Sequence, residues 1–360
     1  MADRHQVAAI LDKSRDELAE AITDRHHELH PELAKRFGPA GRSHCREDAR
    51  YHLSYLSAAV AAGTPAFFTE YVGWCKAMLG ARRIPADDLA QNLGIMREVL
   101  ERSLAPDVRT VAVSPVDASL AELGRVSTAP SSLLTKNGGP LAQLAHDYLS
   151  ALLRAERHLA SSLILAAANA GTPIRDLYLQ VFQLSLREVG RLWQMNQISV
   201  AQEHYCTAAT QLIMSQLYPY IFSGERRNRT LIAACVAGDP HEIGARMVSD
   251  LLEMEGWNTI YLGANVPTSS IIQLMREREV DMLALSATMT FHVPVFERVI
   301  ADIRHAQGVR PAKIMVGGYP FNIAPELWRH IGADAWAPDA AQAIAVADRL
   351  LAMPLHRDRT

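Results

Sequence analysis

The stretch Gly238-Asp239-Pro240-His241-Glu242-Ile243-Gly244 joins an apolar, strand-like run at 231–237 to a helix-like run at 242–255. Open α/β sheets bind ligands beyond the carboxyl ends of their strands, so His241 is placed to reach one. Its imidazole can offer one ring nitrogen to a metal, while Asp239 accepts the other N–H and fixes the tautomer. Gly244 leaves room for a ligand that lies close to the backbone. The pattern therefore predicts a candidate ligand-binding loop between a strand and a helix.

The competing interpretation of this loop is a simple helix start, with Asp239 as the N-cap and Pro240 as the first helical residue. Two further segments favour the binding site. Forty-one residues separate Gly244 from Ser286-Ala287-Thr288, which lies at the end of a second apolar run. Another twenty-eight residues separate Thr288 from Gly317-Gly318, at the end of a third apolar run. Hydroxyls and bare backbone thus follow strands that are expected to share one sheet.

The series Asp-x-His-x-x-Gly, Ser-x-Thr and Gly-Gly resembles the signature of cobalamin (vitamin B12) binding proteins in both order and spacing. The resemblance implies that His241 replaces the dimethylbenzimidazole base as the lower ligand of cobalt, with Asp239 supporting it. It also implies that Ser286 and Thr288 line the slot for the displaced tail. Gly317 and Gly318 would let that tail pass against the backbone.

The bulk composition limits the class of protein. A chain of 360 residues is expected to hold two or three domains. A net charge of -3 and a pI of about 6.5 argue against nucleic-acid or membrane-surface binding. The start, Met-Ala-Asp-Arg-His, lacks a secretory segment, and no apolar run is long enough for a membrane span. The scattered cysteines form no Cys-x-x-Cys pair, so they indicate reduced thiols and a cytoplasmic protein; they are Cys45, Cys75, Cys206 and Cys235.

The order of periodic segments predicts a multidomain α plus α/β protein. Residues 1–125 are predicted to form an all-helical domain, with helical runs at 7–28, 47–62, 65–79 and 86–104. A Ser/Thr/Pro/Gly-rich linker at 126–140 follows. Residues 141–224 are predicted to form a four-helix bundle, with runs at 141–156, 158–170, 174–195 and 200–218. Residues 230–355 alternate strand and helix, which predicts a Rossmann-like, doubly wound parallel sheet.

A second motif lies near one end of the predicted bundle. Trp193 is followed, after nine residues, by Glu203-His204, and the turn at 196–199 brings them together. Ser199 and Gln202 match a capping box for the last helix. The ordinary interpretation is a core tryptophan with an exposed Glu-His pair. Beside the cobalamin signature, however, Trp-x9-Glu-His resembles light-sensing regulators that use adenosylcobalamin. The resemblance implies that Trp193 packs on the adenosyl group, Glu203 accepts hydrogen bonds from it and His204 supports the pocket.

The chain departs from that photoreceptor group in two respects. DNA-binding members carry a histidine directly after the tryptophan, which ligates cobalt after illumination. Here that residue is Gln194, whose amide is a poor cobalt ligand, so a bis-histidine photoproduct through this position is not expected. The N-terminal domain also lacks the winged helix-turn-helix of those repressors.

The whole layout resembles photocobilins, which place a helical, globin-like bilin domain ahead of a cobalamin module. A bilin such as biliverdin needs a carboxylate, basic groups for its propionates and aromatic walls. Two segments, 45–56 and 67–79, offer these groups, with Arg82 near the rim. The candidate bilin residues are Cys45, Arg46, Asp48, Arg50, Tyr51, His52, Tyr55 and Trp74. A thioether would require Cys45 or Cys75. The ordinary alternative is a solvated helix face with a few packed aromatics.

Together these features predict a cytoplasmic photoreceptor that binds adenosylcobalamin and a bilin and signals through an interface, as a homo-oligomer or to a light-dependent partner. No catalytic constellation is present apart from the cobalamin site. One alternative is a corrinoid methyl-carrier that serves a methyltransferase. Another keeps the cobalamin module but makes residues 1–125 a haem globin, with His26, His27, His30 or His52 as the proximal ligand. The sequence names no downstream output.

Overall fold

A computed structural model describes residues 3–32, 35–36, 38, 40–125, 127, 130–136, 139–222 and 225–352. The chain forms two units. The first comprises the described residues up to 127 together with 289–294, and the second comprises 130–288 and 295–352. Parts of the predicted linker and of the predicted ends of the bundle and sheet domains lie outside the described residues. Within the described ranges, none of the helices combines the length and apolar character that a membrane crossing requires.

The first unit is helical throughout its described N-terminal part. Its helices are α1 (Arg4–Lys13), α2 (Arg15–Leu29), α3 (Gly41–Ala62), α4 (Ala66–Ala81), α5 (Ala86–Ser103) and α6 (Pro106–Glu122). Side chains such as Ile22, Leu56 and Phe67 are fully buried and form its core. The all-helical prediction is confirmed. The predicted continuous helix at 7–28 is wrong, because the chain leaves helical geometry at Ser14.

The second unit begins with the short α7 (Leu133–Lys136), so the segment predicted as an irregular linker contains one helical turn. The bundle follows. It contains α8 (Ala142–Leu153), α9 (Arg157–Asn169), the continuous run α10 (Ile174–Asp176), π-helix (Leu177–Phe182) and α11 (Gln183–Gln194), then α12 (Val200–Gln216) and α13 (Tyr218–Ile221). Its core includes the fully buried Tyr148, Tyr178 and Phe182. The predicted bundle helices are therefore present, with a π-helical segment that the sequence did not indicate.

The rest of the second unit alternates strand and helix, as predicted. Its elements are β1 (Thr230–Cys235), α14 (Ile243–Met254), β2 (Asn258–Gly263), α15 (Thr268–Glu277), β3 (Met282–Ser286), α16 (Val293–His305), β4 (Lys313–Gly317), α17 (Tyr319–Ile323), α18 (Leu327–His330), β5 (Ala335–Ala337) and α19 (Ala340–Ala352). A 3₁₀ turn, Thr290–His292, precedes α16. All strand pairs are parallel and the order is β2-β1-β3-β4-β5. The Rossmann-like, doubly wound prediction is confirmed.

Candidate functional site

The predicted loops meet at the carboxyl edge of the sheet. The strand order reverses between β1 and β3, which is the switch point where such sheets bind ligands. Cys235, Ser286 and Gly317 are register partners in one row across β1, β3 and β4. The His241 loop, the Ser286–Thr288 loop and the Gly317-Gly318 loop therefore leave the sheet side by side. The sequence placed these three motifs correctly because each follows a strand end.

Asp239 organises the His241 loop. Its side chain is fully buried, whereas the side chain of His241 remains 44% exposed. One carboxylate oxygen of Asp239 accepts the backbone N–H of His241 at 2.9 Å and lies 2.7 Å from its Nδ1. This hydrogen bond raises the pKa of His241 against the opposing effect of partial burial. Because Asp239 engages Nδ1, the ring nitrogen left for a ligand is Nε2.

The simple helix-cap interpretation of Asp239 is wrong. Helix α14 begins only at Ile243, and the residue at its N-cap is Glu242. The second carboxylate oxygen of Asp239 accepts instead the backbone N–H of Thr288. Asp239 thus joins the loop after β1 to the loop after β3. The buried carboxylate needs these donors, because an unpaired charge at this depth would be costly.

The loops after β3 and β4 pack backbone to backbone. Gly318 has φ +103°, and a Cβ there would lie 1.9 Å from the carbonyl oxygen of Ala287. Only glycine fits this position, both for its conformation and for its space. Gly244 is different, because a Cβ there would meet nothing within 4 Å. At the carboxyl edge of the sheet, the backbone is therefore closely packed at Gly318, whereas the space beside Gly244 is open.

The start of α12 carries the second predicted motif. The Ser199 hydroxyl accepts the backbone N–H of Gln202, and the Gln202 side chain accepts the backbone N–H of Ser199, so the predicted capping box is confirmed. Glu203 lies in the first turn. Its carboxylate is 2.6 Å from Nδ1 of the exposed His204 and accepts a hydrogen bond from Thr207 at 3.2 Å. Trp193 is half-buried near the end of α11.

This end of the bundle faces the His241 loop. The negative charge of Glu203 contributes to the raised pKa of His241, after the hydrogen bond and charge of Asp239. Gln194, beside Trp193, is buried. The carboxylate of Glu203 is therefore within electrostatic range of the His241 ring.

A set of polar contacts between helix α12 and the start of helix α14 was not predicted from the sequence. Glu242, directly after His241, accepts a hydrogen bond from Gln211 of α12 at 2.5 Å. Arg246, one turn later and 8% exposed, donates to the carbonyl oxygen of Gln211 at 3.0 Å. Charged residues that interrupt the otherwise buried face of α14 at helical spacing were the available signal.

Seven of the eight candidate bilin residues of the first unit lie on α3, and Trp74 lies on α4. Arg46 forms an ion pair with Glu20 at 3.5 Å, and Arg50 forms one with Asp16 at 2.9 Å. An open surface cleft of about 340 Å³ lies beside the second pair; it is lined by Arg15, Asp16, Arg50, Tyr51 and Ser54. Two of the three arginines predicted for propionates, Arg46 and Arg50, therefore already have carboxylate partners.

A second group of candidates lies between α3 and α4. The rings of Tyr55 and Tyr71 stack with centroids 3.7 Å apart, so the predicted slot between these aromatic faces is filled by the rings themselves. His52 is buried and its Nδ1 is 2.8 Å from the Tyr71 hydroxyl. Trp74 is 39% exposed. Desolvation, and then the charge of Glu47, raise the pKa of Asp48 to about 6.

The histidines proposed for a haem lie mainly on α2. Nδ1 of His26 is 3.5 Å from Sγ of Cys45, and Nδ1 of His27 is 2.9 Å from the carbonyl oxygen of Thr23. Nδ1 of His30 is 3.2 Å from Glu32. Burial, followed by the charge of His30, lowers the pKa of His26.

Comparisons with known proteins address the second unit. Two family profiles, both described as B12 binding domain, match residues 144–218 and 229–345. They coincide with the bundle and with the sheet. The chain is also 30% identical over 171 residues to dimethylamine corrinoid protein 1 of Methanosarcina acetivorans, covering 46% of this chain and 78% of that protein.

Two further relatives extend the match across both parts of the unit. Dimethylamine corrinoid protein 3 of M. acetivorans is 26% identical over 211 residues, which is 58% of this chain and 97% of that protein. The structure of the monomethylamine corrinoid protein of Methanosarcina barkeri superimposes with a TM-score of 0.52 and 24% identity. It covers 59% of this chain and all of that chain, which shows that the fold is shared.

Proposed function

Because the chain belongs to the family of B12-binding corrinoid proteins, we propose that it binds cobalamin with His241 as the lower ligand of cobalt. The Asp239–His241 pair carries this proposal. Asp239 holds Nδ1 and orients Nε2, as carboxylates that hydrogen-bond to metal-bound imidazoles do. The residues also fit a large macrocycle, since the space at Gly244 is open. The displaced nucleotide tail would lie along Ser286, Thr288, Gly317 and Gly318.

Isotope-edited spectroscopy tests the lower ligand. The full-length protein, labelled with ¹⁵N-histidine, is loaded with hydroxocobalamin and reduced to the Co(II) form. Electron paramagnetic resonance should then show the two-line nitrogen splitting of ¹⁵N rather than the three-line splitting of the cofactor's own base. His241→Ala should abolish it, whereas the exposed His305→Ala on α16 should leave it unchanged. A three-line ¹⁴N splitting in the labelled wild-type protein would rule out histidine ligation.

For the upper face we propose an adenosyl group and a response to light. Bound adenosylcobalamin supplies a cobalt–carbon bond that visible light cleaves. The support is Trp193 at the end of α11 and Glu203 in the first turn of α12, with Glu203 close enough to influence His241. Trp193 would pack on the adenine, and Glu203 would accept hydrogen bonds from its amine or the ribose hydroxyls. Loss of these contacts would free the bundle to move, and an interface would report the change.

The upper-face proposal predicts a selective effect of Trp193→Ala. Adenosylcobalamin should dissociate up to about tenfold faster in the dark, because an aromatic contact of this kind contributes about 0.5–1.5 kcal/mol. Methylcobalamin, which is too small to need the cap, should be affected less than about twofold. Dark dissociation and size-exclusion chromatography before and after illumination provide the measurements. Equal effects on both cofactors would argue against an adenosyl cap.

A second candidate function is a methyl carrier that serves a methyltransferase. The relatives named as dimethylamine corrinoid proteins favour it, since one is matched over 97% of its length. In that case the protein would accept a methyl group from a methyltransferase partner, and the first unit would have a separate role. The alkyl group on cobalamin purified with the protein in darkness discriminates the two functions. A methyl group, with no change in size on illumination, would favour the carrier.

For the first unit we propose a bilin chromophore such as biliverdin. The support is the Arg50–Tyr51 cleft, the partly exposed Trp74 and the carboxyl of Asp48, whose pKa is raised to about 6 by burial. Binding would require Arg46 and Arg50 to exchange their present carboxylate partners for propionates. Biliverdin mixed with the full-length protein should give a sharpened, shifted red band, which Asp48→Asn should alter. A sharp Soret band with haem and no effect of biliverdin would favour the globin alternative instead.

A further inference from the structure

The carboxylate of Glu242 is held from two sides. Gln211 of α12 donates to Oε1 at 2.5 Å, and the Tyr261 hydroxyl of β2 lies 3.0 Å from Oε2. The same hydroxyl is 3.3 Å from the backbone oxygen of Glu242. Oε2 also fills the notch above Gly263, where an added Cβ would be 2.9 Å away. The residue that directly follows His241 is thus fixed to both the bundle and the sheet.

Arg246 repeats the connection one turn further along α14. Its guanidinium donates to the carbonyl oxygen of Gln211 at 3.0 Å and to the Ser215 hydroxyl at 2.8 Å. It lies 3.6 Å from Asp250, which accepts the Tyr178 hydroxyl at 2.8 Å. Charge-assisted bonds of this kind are strong when buried. The first turn of α14 and the second half of α12 are therefore joined as one body.

Helix α12 also carries the upper-face residue. Glu203 is in its first turn, and Gln211 lies two turns later on the same rigid element, about 12 Å along the axis at 1.5 Å per residue. The lower-face histidine and the upper-face carboxylate are consequently connected through one helix. A displacement of the His241 loop would be passed to Glu203 without any intervening flexible segment.

We propose that Glu242 is a positioning residue that locks the His241 loop to helix α12 and so couples the lower-ligand site to the cap. The inference rests on the proposed role of His241. If Glu242 had a purely structural role, its replacement would lower the stability of the fold but would not change coordination of cobalt by the His241 nitrogen. The positioning role instead requires that Glu242 determine how completely His241 coordinates and how well the cap retains the upper ligand.

The test compares Glu242→Ala, Glu242→Gln and Gln211→Ala in the ¹⁵N-histidine-labelled full-length protein with hydroxocobalamin. Glu242→Ala should weaken cobalamin binding by about tenfold, as does the loss of groups that hold a metal ligand in place, and should lower the fraction of the Co(II) signal that shows ¹⁵N splitting. Glu242→Gln can pair with Gln211 amide to amide and should stay within about threefold of wild type. Glu277→Ala is the matched control, because Glu277 accepts a similar bond from Gln273 at 3.0 Å on an exposed face.

The outcomes separate the two proposals. If His241→Ala abolishes the ¹⁵N splitting while Glu242→Ala and Gln211→Ala retain it and bind normally, the positioning role is wrong and histidine ligation stands. If wild-type protein lacks the splitting, the lower-ligand proposal itself fails. A lowered melting temperature of the apo-protein with unchanged splitting would show a structural role only. Should Glu242→Ala not fold, Tyr261→Phe removes a single partner, and its unchanged splitting together with that of Gln211→Ala would overturn the inference.

Discussion

Asparagine at position 239 offers a measurable test of how the site is built. One oxygen of Asp239 serves the backbone N–H and Nδ1 of His241, and the other serves the backbone N–H of Thr288. Asparagine has a single side-chain oxygen, so either the His241 donors or the Thr288 backbone N–H must face the amide NH₂ group instead of an acceptor. A buried donor left unsatisfied costs about 1–3 kcal/mol. We therefore expect Asp239→Asn to lower the free energy of unfolding by about 2 kcal/mol, and Asp239→Ala by about 4 kcal/mol.

Cobalamin affinity should fall with stability, because His241 loses the charge that orients it. The loss of such a partner weakens metal binding by about 10- to 100-fold. Urea denaturation of the apo-protein and absorbance titration with hydroxocobalamin give the two quantities. Asp281→Asn is the control: Asp281 accepts the backbone N–H of Thr230 at 2.7 Å at the opposite edge of the sheet. If both asparagine variants behaved alike in stability and in binding, the assigned role of Asp239 would be refuted.

Three further substitutions follow from the structure. Gly318→Ala forces a side chain onto the carbonyl oxygen of Ala287 at a strained φ of +103°, so a loss of about 3 kcal/mol or more is expected in thermal or urea unfolding. Gly244→Ala meets open space and should leave apo-protein stability within about 1 kcal/mol while weakening cobalamin binding; equal stability losses in the two glycine variants would contradict the packing described. His52 is buried, which lowers its pKa from 6.5 to about 4. Below pH 6.5 the unfolded state takes up a proton on this histidine before the folded state does. The free energy of unfolding should therefore be unaffected by His52 above pH 6.5 and should fall by up to about 3 kcal/mol as the pH drops towards 4. His52→Gln should flatten this part of the stability profile, and identical pH profiles would disprove the assignment.

The sequence was most informative at the strand ends. The motifs at His241, Ser286 and Gly317 follow short apolar runs that alternate with helical segments and so predict buried strands, and parallel strands end at a common edge. Their proximity could therefore be predicted without coordinates. The capping box at Ser199 was equally readable, because it depends on residues three apart.

The features that were missed have identifiable physical causes. Helix α6, Pro106–Glu122, was not predicted because Pro115 lies inside it and proline normally ends a helix. The break at Ser14 interrupts the helix for one residue and leaves the apolar spacing almost unchanged. The Gln211–Glu242 bond joins residues far apart in the chain, which no local pattern reports. The stacking of Tyr55 on Tyr71 likewise depends on how two helices pack.

The π-helical segment Leu177–Phe182 has a consequence for the evolution of the cap. A π turn arises when one residue is inserted into an α-helix, and each residue of an α-helix corresponds to about 100° of rotation. The wider π turn takes up one extra residue for nearly the same rotation, so Trp193, downstream on the same continuous helix, keeps the direction it would have without that residue. A residue deleted from the α-helical part between Gln183 and Trp193 would instead rotate Trp193 by about 100° around the helix axis. The π-helical segment therefore lets the length of this helix change without turning the residues at its carboxyl end.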